Sequence, residues 1–434
     1  MVPLLRRAKR ALDLNLTRSR SRSRFPPRLP LWAWALLLLA VLESYLHWRS
    51  FLVARPARPV DEPYQTQCRE PDVDAPREEA VVVMMARNSD RAAARRSIQS
   101  FERHFNRWFK YPIVFLNDEP WDERFVRALS KATSAETHFE VMSESDFGYP
   151  DWIDRDAARA SMARQDALDW PHAGKEGYHH MCRFYSGKFY NMDILKKYKW
   201  YWRLDPDTEF FCSITYDPFV EMAKRGHVYG FTMAIWEILS TVPSLFRHTT
   251  DYKDAAGIPS SPLWKAMVDP SVLPYPLRPL MSLLDNRDRN GDAWNGCHYW
   301  SNFEIGDMDF FRGSEYQAYF DAMDRQGGFY FERWGDAAIH SLAIAMLLDP
   351  SQVHHFDDIG YRHDELWQCP ANAPGGQLPE SEALGKRRWK PEVEGGIGCR
   401  CECDGYMERR NHPAVCLNKL TAPNTPGSQP WPWT

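Results

Sequence analysis

The feature that most constrains the fold is a run of seven consecutive apolar residues at positions 80–86. A strand with one buried face alternates apolar and polar side chains, so this unbroken run predicts a strand that is buried on both faces. The composition then favours a helix at 92–104, a strand at 111–117, a helix at 125–132 and a short strand at 139–142. This βαβα order predicts an α/β fold with a mostly parallel sheet and helices on both faces.

Another strand-forming segment, the aromatic run at 199–204, ends abruptly at Asp205, Pro206 and Asp207. Ligands bind at the carboxyl ends of strands in α/β sheets, so the run is predicted to deliver two carboxylates to a binding site. Hard oxygen donors on a rigid turn suit a divalent cation such as Mn²⁺ or Mg²⁺, which would bridge the phosphates of a nucleotide. The Asp-x-Asp pattern recurs at three other places in the chain, but only the copy at Asp205 follows an aromatic strand.

The N-terminal segment 1–28 is rich in arginine and carries a single acidic residue, Asp13. The apolar stretch at 29–48 follows, and it is just long enough to cross a thin bilayer. Because positive residues stay in the cytosol, these segments predict a cytosolic tail and a transmembrane signal anchor of type II topology. A cleaved signal peptide is the alternative, although no clear cleavage site follows the apolar stretch. Residues 49–78 lack apolar periodicity and are predicted to form a stem.

Residues 79–420 remain for one large lumenal catalytic domain or two closely fused lobes. The tail at 421–434 is rich in proline and is predicted to be disordered. The formal net charge of −4 gives no support for nucleic-acid binding.

Cysteine usage also indicates an oxidising compartment. Five of the nine cysteines crowd the C-terminal part of the chain, namely Cys369, Cys399, Cys401, Cys403 and Cys416. The spacing around Cys401 has one-residue gaps rather than the wider gaps typical of zinc ligands, so disulfides are favoured over a zinc site. The odd number of cysteines leaves one thiol free, and the connectivity stays open.

Six short blocks carry chemically distinctive residues in a fixed order. They are 86–90 (Ala-Arg-Asn-Ser-Asp), 178–187 (Tyr-His-His-Met-Cys-Arg-Phe-Tyr-Ser-Gly), 201–207 (Tyr-Trp-Arg-Leu-Asp-Pro-Asp), 300–305 (Trp-Ser-Asn-Phe-Glu-Ile), 331–337 (Phe-Glu-Arg-Trp-Gly-Asp-Ala) and 356–363 (Phe-Asp-Asp-Ile-Gly-Tyr-Arg-His). In this order the chain resembles the fungal α-1,2-mannosyltransferases of the Kre/Mnt type, glycosyltransferase family 15. The resemblance covers residues 79–403 and extends to the short tail, the single anchor and the stem.

The resemblance implies a GT-A-type nucleotide-sugar-binding fold with a mixed, mainly parallel central sheet. It also implies a Golgi enzyme that uses Mn²⁺ and transfers mannose from GDP-mannose with retention of configuration. Asp205 and His363 fall on the metal ligands, Glu304 on the proposed catalytic nucleophile and Tyr178 on an essential tyrosine. Asp205 departs from the family motif, which has Glu. Because aspartate is one methylene shorter, the departure affects coordination geometry more than metal binding itself.

The leaving GDP develops negative charge, which the metal and cations such as Arg87 and Arg183 would offset. The residues assigned to nucleotide binding are Arg87, Asn88, Asp118, Arg183 and Asp207, with Asp118 near the ribose or guanine. As the alternative, Arg87 and Arg183 are internal salt-bridge partners. Retaining transfer uses either a carboxylate nucleophile or a front-face route, and Glu304 fits both as nucleophile or as electrostatic support.

The sequence therefore predicts a mannosyltransferase that acts on mannose-terminated N- or O-linked glycans of glycoproteins and is held in the Golgi membrane. Three alternatives remain. The same family includes mannosylphosphate transferases, which would give a different product. A retaining glycosidase using Glu304 and Asp205 would release mannose without GDP-mannose. A non-catalytic lumenal scaffold would keep the fold and lack turnover.

Overall fold

The computed structural model describes residues 30–48, 62–66, 68–368, 370, 397–402 and 414–421. The predicted cytosolic tail at 1–28 lies outside these residues, as do Cys369, Cys403 and nearly all of the predicted C-terminal tail. The chain divides into two units, Met1–Val53 and Ala54–Thr434.

The described residues of the first unit form one helix, α1 (Leu31–Trp48). Its consecutive leucines at 36–39 are exposed. Across the part of the chain that the structure describes, no helix combines the length and apolarity needed to cross a membrane.

Strands of the second unit centre on one large sheet. In chain order the strands are β1 (Ala80–Met85), β2 (Ile113–Asn117), β3 (Thr137–Val141), β4 (Trp200–Leu204), β5 (Thr208–Phe210), β6 (Tyr229–Phe231), β7 (Ala234–Trp236), β8 (Val268–Asp269), β9 (Ala293–Trp294), β10 (Cys297–Tyr299), β11 (Phe303–Asp307), β12 (Val353–His355), β13 (Tyr361–His363) and β14 (Leu366–Gln368). Seven of them form a sheet in the order β12-β6-β11-β4-β1-β2-β3. Only β11 runs antiparallel to its neighbours there, so the predicted mixed, mainly parallel α/β sheet is confirmed.

Smaller sheets flank this one. The order β14-β13-β5 forms an antiparallel three-stranded sheet, and β10-β7 and β8-β9 form antiparallel pairs. The three-stranded sheet matters for the site because β5 begins directly after the Asp205–Pro206–Asp207 turn.

Helices cover both faces of the large sheet. In chain order they are α2 (Arg91–Phe101), α3 (Arg107–Phe109), α4 (Glu123–Ser130), α5 (Arg155–Asp166), α6 (Glu176–Gly187), α7 (Pro218–Arg225), α8 (Leu245–Ala255), α9 (Pro262–Met267), α10 (Met308–Arg312), α11 (Ser314–Asp324), α12 (Gly328–Phe331), α13 (Asp336–Leu347) and α14 (Ala414–Thr421). A π-helical turn, Glu102–Asn106, joins α2 to α3. Short 3-10 segments are Asn88–Asp90, Phe189–Asn191, Asp193–Leu195, Leu239–Thr241, Tyr275–Leu283 and Pro350–Gln352.

The two faces of the sheet bury separate apolar cores. Along β1, Val81 and Val83 face one core whereas Val82 and Met84 face the other. Helices α5, α6 and α8 to α14 contribute to the first core, and α2, α3, α4 and α7 to the second. The unbroken apolar run in the sequence is thus explained, because successive side chains of a strand point to opposite faces.

Three disulfides connect distant parts of the chain: Cys68–Cys399, Cys212–Cys401 and Cys297–Cys416. The prediction that the C-terminal cysteines form disulfides rather than a zinc site is confirmed for Cys399, Cys401 and Cys416. Among the described cysteines, Cys182 is a free and buried thiol.

Packing begins earlier in the chain than the predicted domain start at residue 79. Tyr64 and Gln65 are buried, and the Gln65 side chain accepts a hydrogen bond from the Thr215 backbone amide at 3.2 Å. Cys68 is tied to Cys399. Part of the segment assigned to a stem therefore belongs to the packed unit. A single aromatic residue and a cysteine in a polar stretch produce no periodicity that would reveal this from sequence.

Candidate active site

Three parallel strands end side by side at one edge of the large sheet. After β1 the chain continues to Arg87 and Asn88, after β2 to Asp118, and after β4 to Asp205. The fold thus brings four of the predicted site residues to one edge, where α/β sheets bind ligands.

His363 reaches the same place through the smaller sheet. Strand β13 pairs with β5 so that His363 lies opposite Thr208, the residue after Asp207. Nε2 of His363 lies 3.0 Å from Oδ1 of Asp207 and 4.0 Å from Oδ2 of Asp205. Its Nδ1 lies 3.6 Å from Oδ2 of Asp364.

These side chains fit a divalent cation. One ligand atom each from Asp207, His363 and Asp364 lies within 4.8 Å of the others, and Asp205 adds a carboxylate beside them. An imidazole with carboxylate oxygens is a donor set that suits Mn²⁺. The Asp-x-Asp pattern placed Asp207 beside a cation, although the assignment by role gave this residue to the nucleotide. Asp364 was missed. Asp364 occupies the turn between β13 and β14 with a φ of 50°, so its only sequence signal was that of a turn residue.

We refer to Asp205, Asp207, His363 and Asp364 together as the cation group. Their surroundings shift the pKa values of Asp205, Asp207 and His363 in different directions. Burial raises the pKa of Asp205, and the Arg203 guanidinium opposes that shift. The hydrogen bond from His363 lowers the pKa of Asp207. Burial lowers the pKa of His363, but Asp207 and Asp205 outweigh it and the net shift is upward. A bound cation must therefore displace a proton from His363, because only the neutral imidazole is a ligand.

Arg203 fixes the direction of the Asp205 carboxylate. Its Nε donates to Oδ1 of Asp205 at 3.1 Å, and its Nη1 donates to Oδ2 of Asp336 at 2.5 Å. The Tyr185 ring lies 3.6 Å from the guanidinium carbon, and Ser301 donates to the same Asp336 oxygen at 2.7 Å. Two carboxylates and an aromatic face hold this buried cation in one geometry. Sequence reasoning gave Asp336 no role, although the residue opens α13 inside one of the matching blocks.

Glu304 lies deep in the same region. It is directly opposite Arg203 in the β11–β4 pairing and is 0 % exposed. Its Oε2 accepts from the Tyr229 hydroxyl at 3.0 Å and lies 3.0 Å from Nδ1 of His340. Its Oε1 has no hydrogen-bond partner among the described residues. A nucleophile must approach the sugar carbon to about 3–3.5 Å. The nucleophile role therefore stays a prediction, and the burial favours the electrostatic alternative.

Tyr178, on the first turn of α6, belongs to a polar chain on the same side of the sheet. Nη1 of Arg333 donates to the Tyr178 hydroxyl at 2.8 Å, and Nη2 of Arg333 donates to Oε1 of Glu237 at 3.1 Å. Burial raises the pKa of Tyr178 well above its ordinary value, so the phenol stays neutral. A neutral phenol that accepts from Arg333 keeps its own hydrogen for donation.

The loops after β1 and β2 are tied together by Asn88. Its Nδ2 donates to the Pro120 carbonyl at 3.0 Å, and its Oδ1 accepts from the Asp122 amide at 2.9 Å. Asp118 and Arg87 are exposed. Arg87 lies across the start of α6, where a Cβ on Gly177 would come within 2.8 Å of Arg87 Nη2. The fold leaves Arg87 and Asp118 accessible to a ligand and gives Asn88 a positioning role.

Arg183 is not at this edge. Its Nε and Nη2 donate to the two carboxylate oxygens of Asp324 at 2.7 and 2.8 Å, and its Nη1 donates to the Gly148 carbonyl at 3.2 Å. The guanidinium is buried with its donors engaged, so the salt-bridge alternative describes Arg183 and a nucleotide contact does not. The acid that draws it away is far along the chain and could not be paired with it from sequence.

A cleft of about 440 Å³ adjoins the cation group. Its walls come from α2 and from the β5–β13 strands, and it includes Arg96, Arg362 and Asp207. Mixed charges and hydroxyl groups line this cleft, which suits a ligand rich in hydroxyl or phosphate oxygens.

An α/β sheet with a carboxylate–imidazole cation group at its strand ends defines a metal-dependent enzyme of the nucleotide-binding class. The family comparison is more specific. A family model described as glycolipid 2-alpha-mannosyltransferase matches residues 53–374, and the chain belongs to this family, glycosyltransferase family 15. The family resemblance predicted from the six sequence blocks is confirmed.

Individual relatives agree with this membership. The O-glycoside alpha-1,2-mannosyltransferase homolog 4 of Schizosaccharomyces pombe is 40% identical over 374 residues, which is 80% of this chain and 79% of the relative. The core-mannan synthase A of Aspergillus fumigatus, solved in a Mn/GDP form, is 34% identical with a TM-score of 0.62, over 73% of this chain and 83% of that one. The mannosyltransferase Ktr4p of Saccharomyces cerevisiae, solved with GDP, is 28% identical with a TM-score of 0.66, over 90% and 92%.

Proposed function

We propose that this chain is a GDP-mannose-dependent α-1,2-mannosyltransferase that uses Mn²⁺ and retains the α configuration. Family membership supports mannosyl transfer and the linkage. Two solved relatives that hold GDP support the donor. The acceptors are mannose-terminated N- or O-linked glycans of glycoproteins.

The observation that carries this proposal is the cation group at the sheet edge. Asp205, Asp207, His363 and Asp364 supply oxygen and nitrogen donors close to one another, and the Aspergillus relative was solved in a Mn/GDP form. These four residues would hold Mn²⁺ in this chain. When bound, the ion supplies positive charge that neutralises the diphosphate leaving group.

Residues around the cation group would bind the sugar donor, GDP-mannose. Arg203, through its contacts with Asp205 and Asp336, would hold the Asp205 carboxylate in place as a metal ligand. Arg87 lies exposed at the start of α6, where its guanidinium would contact a phosphate. Asn88 holds the loop that follows Asp118, and Asp118 would contact the ribose or guanine. A donor held at several points loses less orientational freedom in the reaction step.

Tyr178 and Glu304 act at the sugar end of the donor. The neutral Tyr178 phenol, held by Arg333, would donate a hydrogen bond to a phosphate oxygen or orient the acceptor hydroxyl. In a front-face route the acceptor hydroxyl bonds to the sugar carbon as the bond to GDP breaks, and its proton passes to the leaving diphosphate. The buried charge of Glu304 would then stabilise the oxocarbenium-like sugar without forming a bond to it.

We also infer that residues 29–48 anchor the chain in the Golgi membrane with the catalytic unit in the lumen. The arginine-rich segment before the apolar stretch supports this topology. The three disulfides support an oxidising compartment. The anchor is argued from sequence, since no helix in the described residues is long and apolar enough by itself. Protease digestion of sealed vesicles tests it, because a lumenal catalytic unit is protected until detergent is added.

The activity is tested with the full chain in detergent, radiolabelled GDP-mannose, Mn²⁺ and a panel of mannose and mannobiose acceptors. The expected product is an acceptor extended by one α-1,2-linked mannose, identified by linkage analysis. Phosphate in the product would identify a mannosylphosphate transferase instead. Release of mannose from the acceptors without donor would identify a glycosidase. Folded protein that binds GDP and forms no product would identify a non-catalytic scaffold.

A further inference from the structure

A buried histidine lies next to the site and touches neither the cation group nor the exposed loops. His340 is on the second turn of α13 and is 0 % exposed. Its Nδ1 lies 3.0 Å from Oε2 of Glu304. Its Nε2 lies 3.0 Å from the Tyr190 hydroxyl and 3.1 Å from the Tyr185 carbonyl oxygen. Both ring nitrogens are thus within hydrogen-bond distance of oxygen atoms.

The partners of His340 are compatible with a proton on each ring nitrogen. At Nε2, the Tyr185 carbonyl oxygen accepts a hydrogen, and the Tyr190 hydroxyl can either accept or donate one. Oε2 of Glu304 already accepts from the Tyr229 hydroxyl, and a carboxylate in that state also accepts from Nδ1. In that state, with hydrogen on both nitrogens, His340 is an imidazolium paired with the Glu304 carboxylate. Burial lowers the pKa of His340, but the charge and the hydrogen bond of Glu304 raise it by more than burial lowers it. The net shift of the His340 pKa is therefore upward.

We propose that His340 is a positioning residue for mannosyl transfer, because its positive charge offsets Glu304 and so leaves the Arg203 guanidinium directed at Asp205. Glu304 and Arg203 are cross-strand partners whose side chains share one face of the sheet. Tyr185 gives a second connection, since its carbonyl accepts from His340 and its ring contacts the Arg203 guanidinium.

The charges alternate from the core to the cation group. His340 is positive, Glu304 negative and Arg203 positive, and the carboxylates of Asp336 and Asp205 follow. Without the charge on His340, Glu304 becomes an uncompensated anion in the core, which is unfavourable and attracts the nearest cation. That cation is Arg203. Its shift toward Glu304 would weaken its hold on Asp205, which orients the metal ligand.

The groups around His340 determine how its charge depends on pH. They are Glu304 on β11, Arg203 on β4, Asp336 on its own helix, Tyr185 on α6, Tyr190 on the 3-10 segment after α6 and Tyr316 on α11. Burial raises the pKa of each of these three tyrosines, so they stay neutral at physiological pH. His340 has a raised pKa, so its charge is present below that pKa and is lost as the pH rises through it. The proposal therefore expects kcat to decline on the alkaline side.

The test is the His340→Asn variant, whose amide still donates toward Glu304 but carries no charge. This inference rests on the proposed transferase activity, so the wild type is measured in parallel. A wild type without transfer would refute the proposed activity, not the positioning role of His340. The expected kcat is at least about tenfold lower, with a KM for GDP-mannose within about threefold of wild type. The alkaline decline of kcat should also disappear.

His355→Asn is the matched control. His355 is another histidine with its Nε2 hydrogen-bonded to a backbone carbonyl, that of Thr232, and the same nitrogen lies 2.8 Å from the side-chain oxygen of Gln368 on β14. It should keep the wild-type kcat and pH profile. If His340→Asn does not fold, Glu304→Gln replaces it, because this variant has no buried anion for His340 to offset and the alkaline decline should therefore disappear. A folded His340→Asn protein with wild-type kcat and an unchanged alkaline decline would overturn the proposal, as would an unchanged decline in Glu304→Gln.

Discussion

Two carboxylate–imidazole pairs of the same length lie in contrasting environments. Asp207 and His363 are 3.0 Å apart at the edge of the sheet, with side chains that are 51% and 13% exposed. Glu304 and His340 are also 3.0 Å apart, with side chains that are both 0% exposed. The first pair can exchange its proton for a cation from solvent. The second has no such access, so its charges act on other groups inside the protein.

The difference shows that the residue types alone do not define the chemistry. An accessible imidazole next to three carboxylates is a ligand set, because a cation can replace the proton and be held by several oxygens. A buried imidazole with all its partners in place is a fixed charge, and moving such a charge is unfavourable in a low-dielectric interior. Arg203 connects the two, since it contacts Asp205 on one side and lies opposite Glu304 on the other.

The largest expected effect comes from the buried pair. Glu304→Gln keeps the shape of the side chain and removes its charge, so kcat should fall by at least about a hundredfold while GDP affinity changes little. Steady-state kinetics and GDP titration measure the two quantities. Glu123→Gln, which removes the acid of an exposed salt bridge with Arg127, is the control and should be near wild type. Normal turnover in Glu304→Gln would remove this residue from the mechanism.

An intermediate effect is expected at the exposed pair. His363→Ala removes one metal ligand, so Mn²⁺ affinity should fall by at least about tenfold, with a matching increase in the Mn²⁺ needed for half-maximal transfer. His138→Ala is the matched control, because His138 lies at the start of the outer strand β3 and pairs with Glu136 at 3.3 Å. Equal Mn²⁺ affinity in both variants would show that the ion binds elsewhere.

The smallest expected effect is the pH dependence of Mn²⁺ binding. The proton on His363 competes with the ion, and neighbouring Asp207 raises the His363 pKa against the effect of burial. Affinity should therefore weaken as the pH falls through that raised pKa, by up to about tenfold per pH unit for one displaced proton. The weakening should begin at a higher pH than for an ordinary histidine. A calorimetric titration at several pH values measures it, and a flat profile in the wild type would exclude His363 as a ligand.

Local patterns predicted the elements that depend on local sequence. The apolar run that became β1 and the aromatic run that became β4 were recognisable because strand burial leaves a direct composition signal. The position of Asp205 at a strand end followed from the same pattern. The early packing of Tyr64 was not recognisable, because it depends on partners such as Thr215 that are distant in sequence.

The site residues that could not be predicted from sequence are likewise those brought together by contacts between distant segments of the chain. Asp207 and His363 meet only because β13 pairs with β5, and Asp364 joins them only because the hairpin turn places it there. Arg183 looked like a phosphate-binding cation because its block matched the family, yet its partner is Asp324. His340 could not be paired with Glu304 from sequence, because the two residues are 36 positions apart and meet only in the folded chain.

The most direct test of the central claim, that Asp205 and His363 hold the ion needed for mannosyl transfer, is transfer measured with EDTA and again after Mn²⁺ is restored. EDTA should abolish wild-type transfer and Mn²⁺ should restore it. Asp205→Asn, which loses an anionic donor, should need far more Mn²⁺, whereas Asp205→Glu should keep substantial activity because it restores the residue of the family motif. Full activity in metal-free buffer, or Asp205→Asn with unaltered Mn²⁺ dependence, would contradict the account and make the Asp205–Asp207 turn a structural corner.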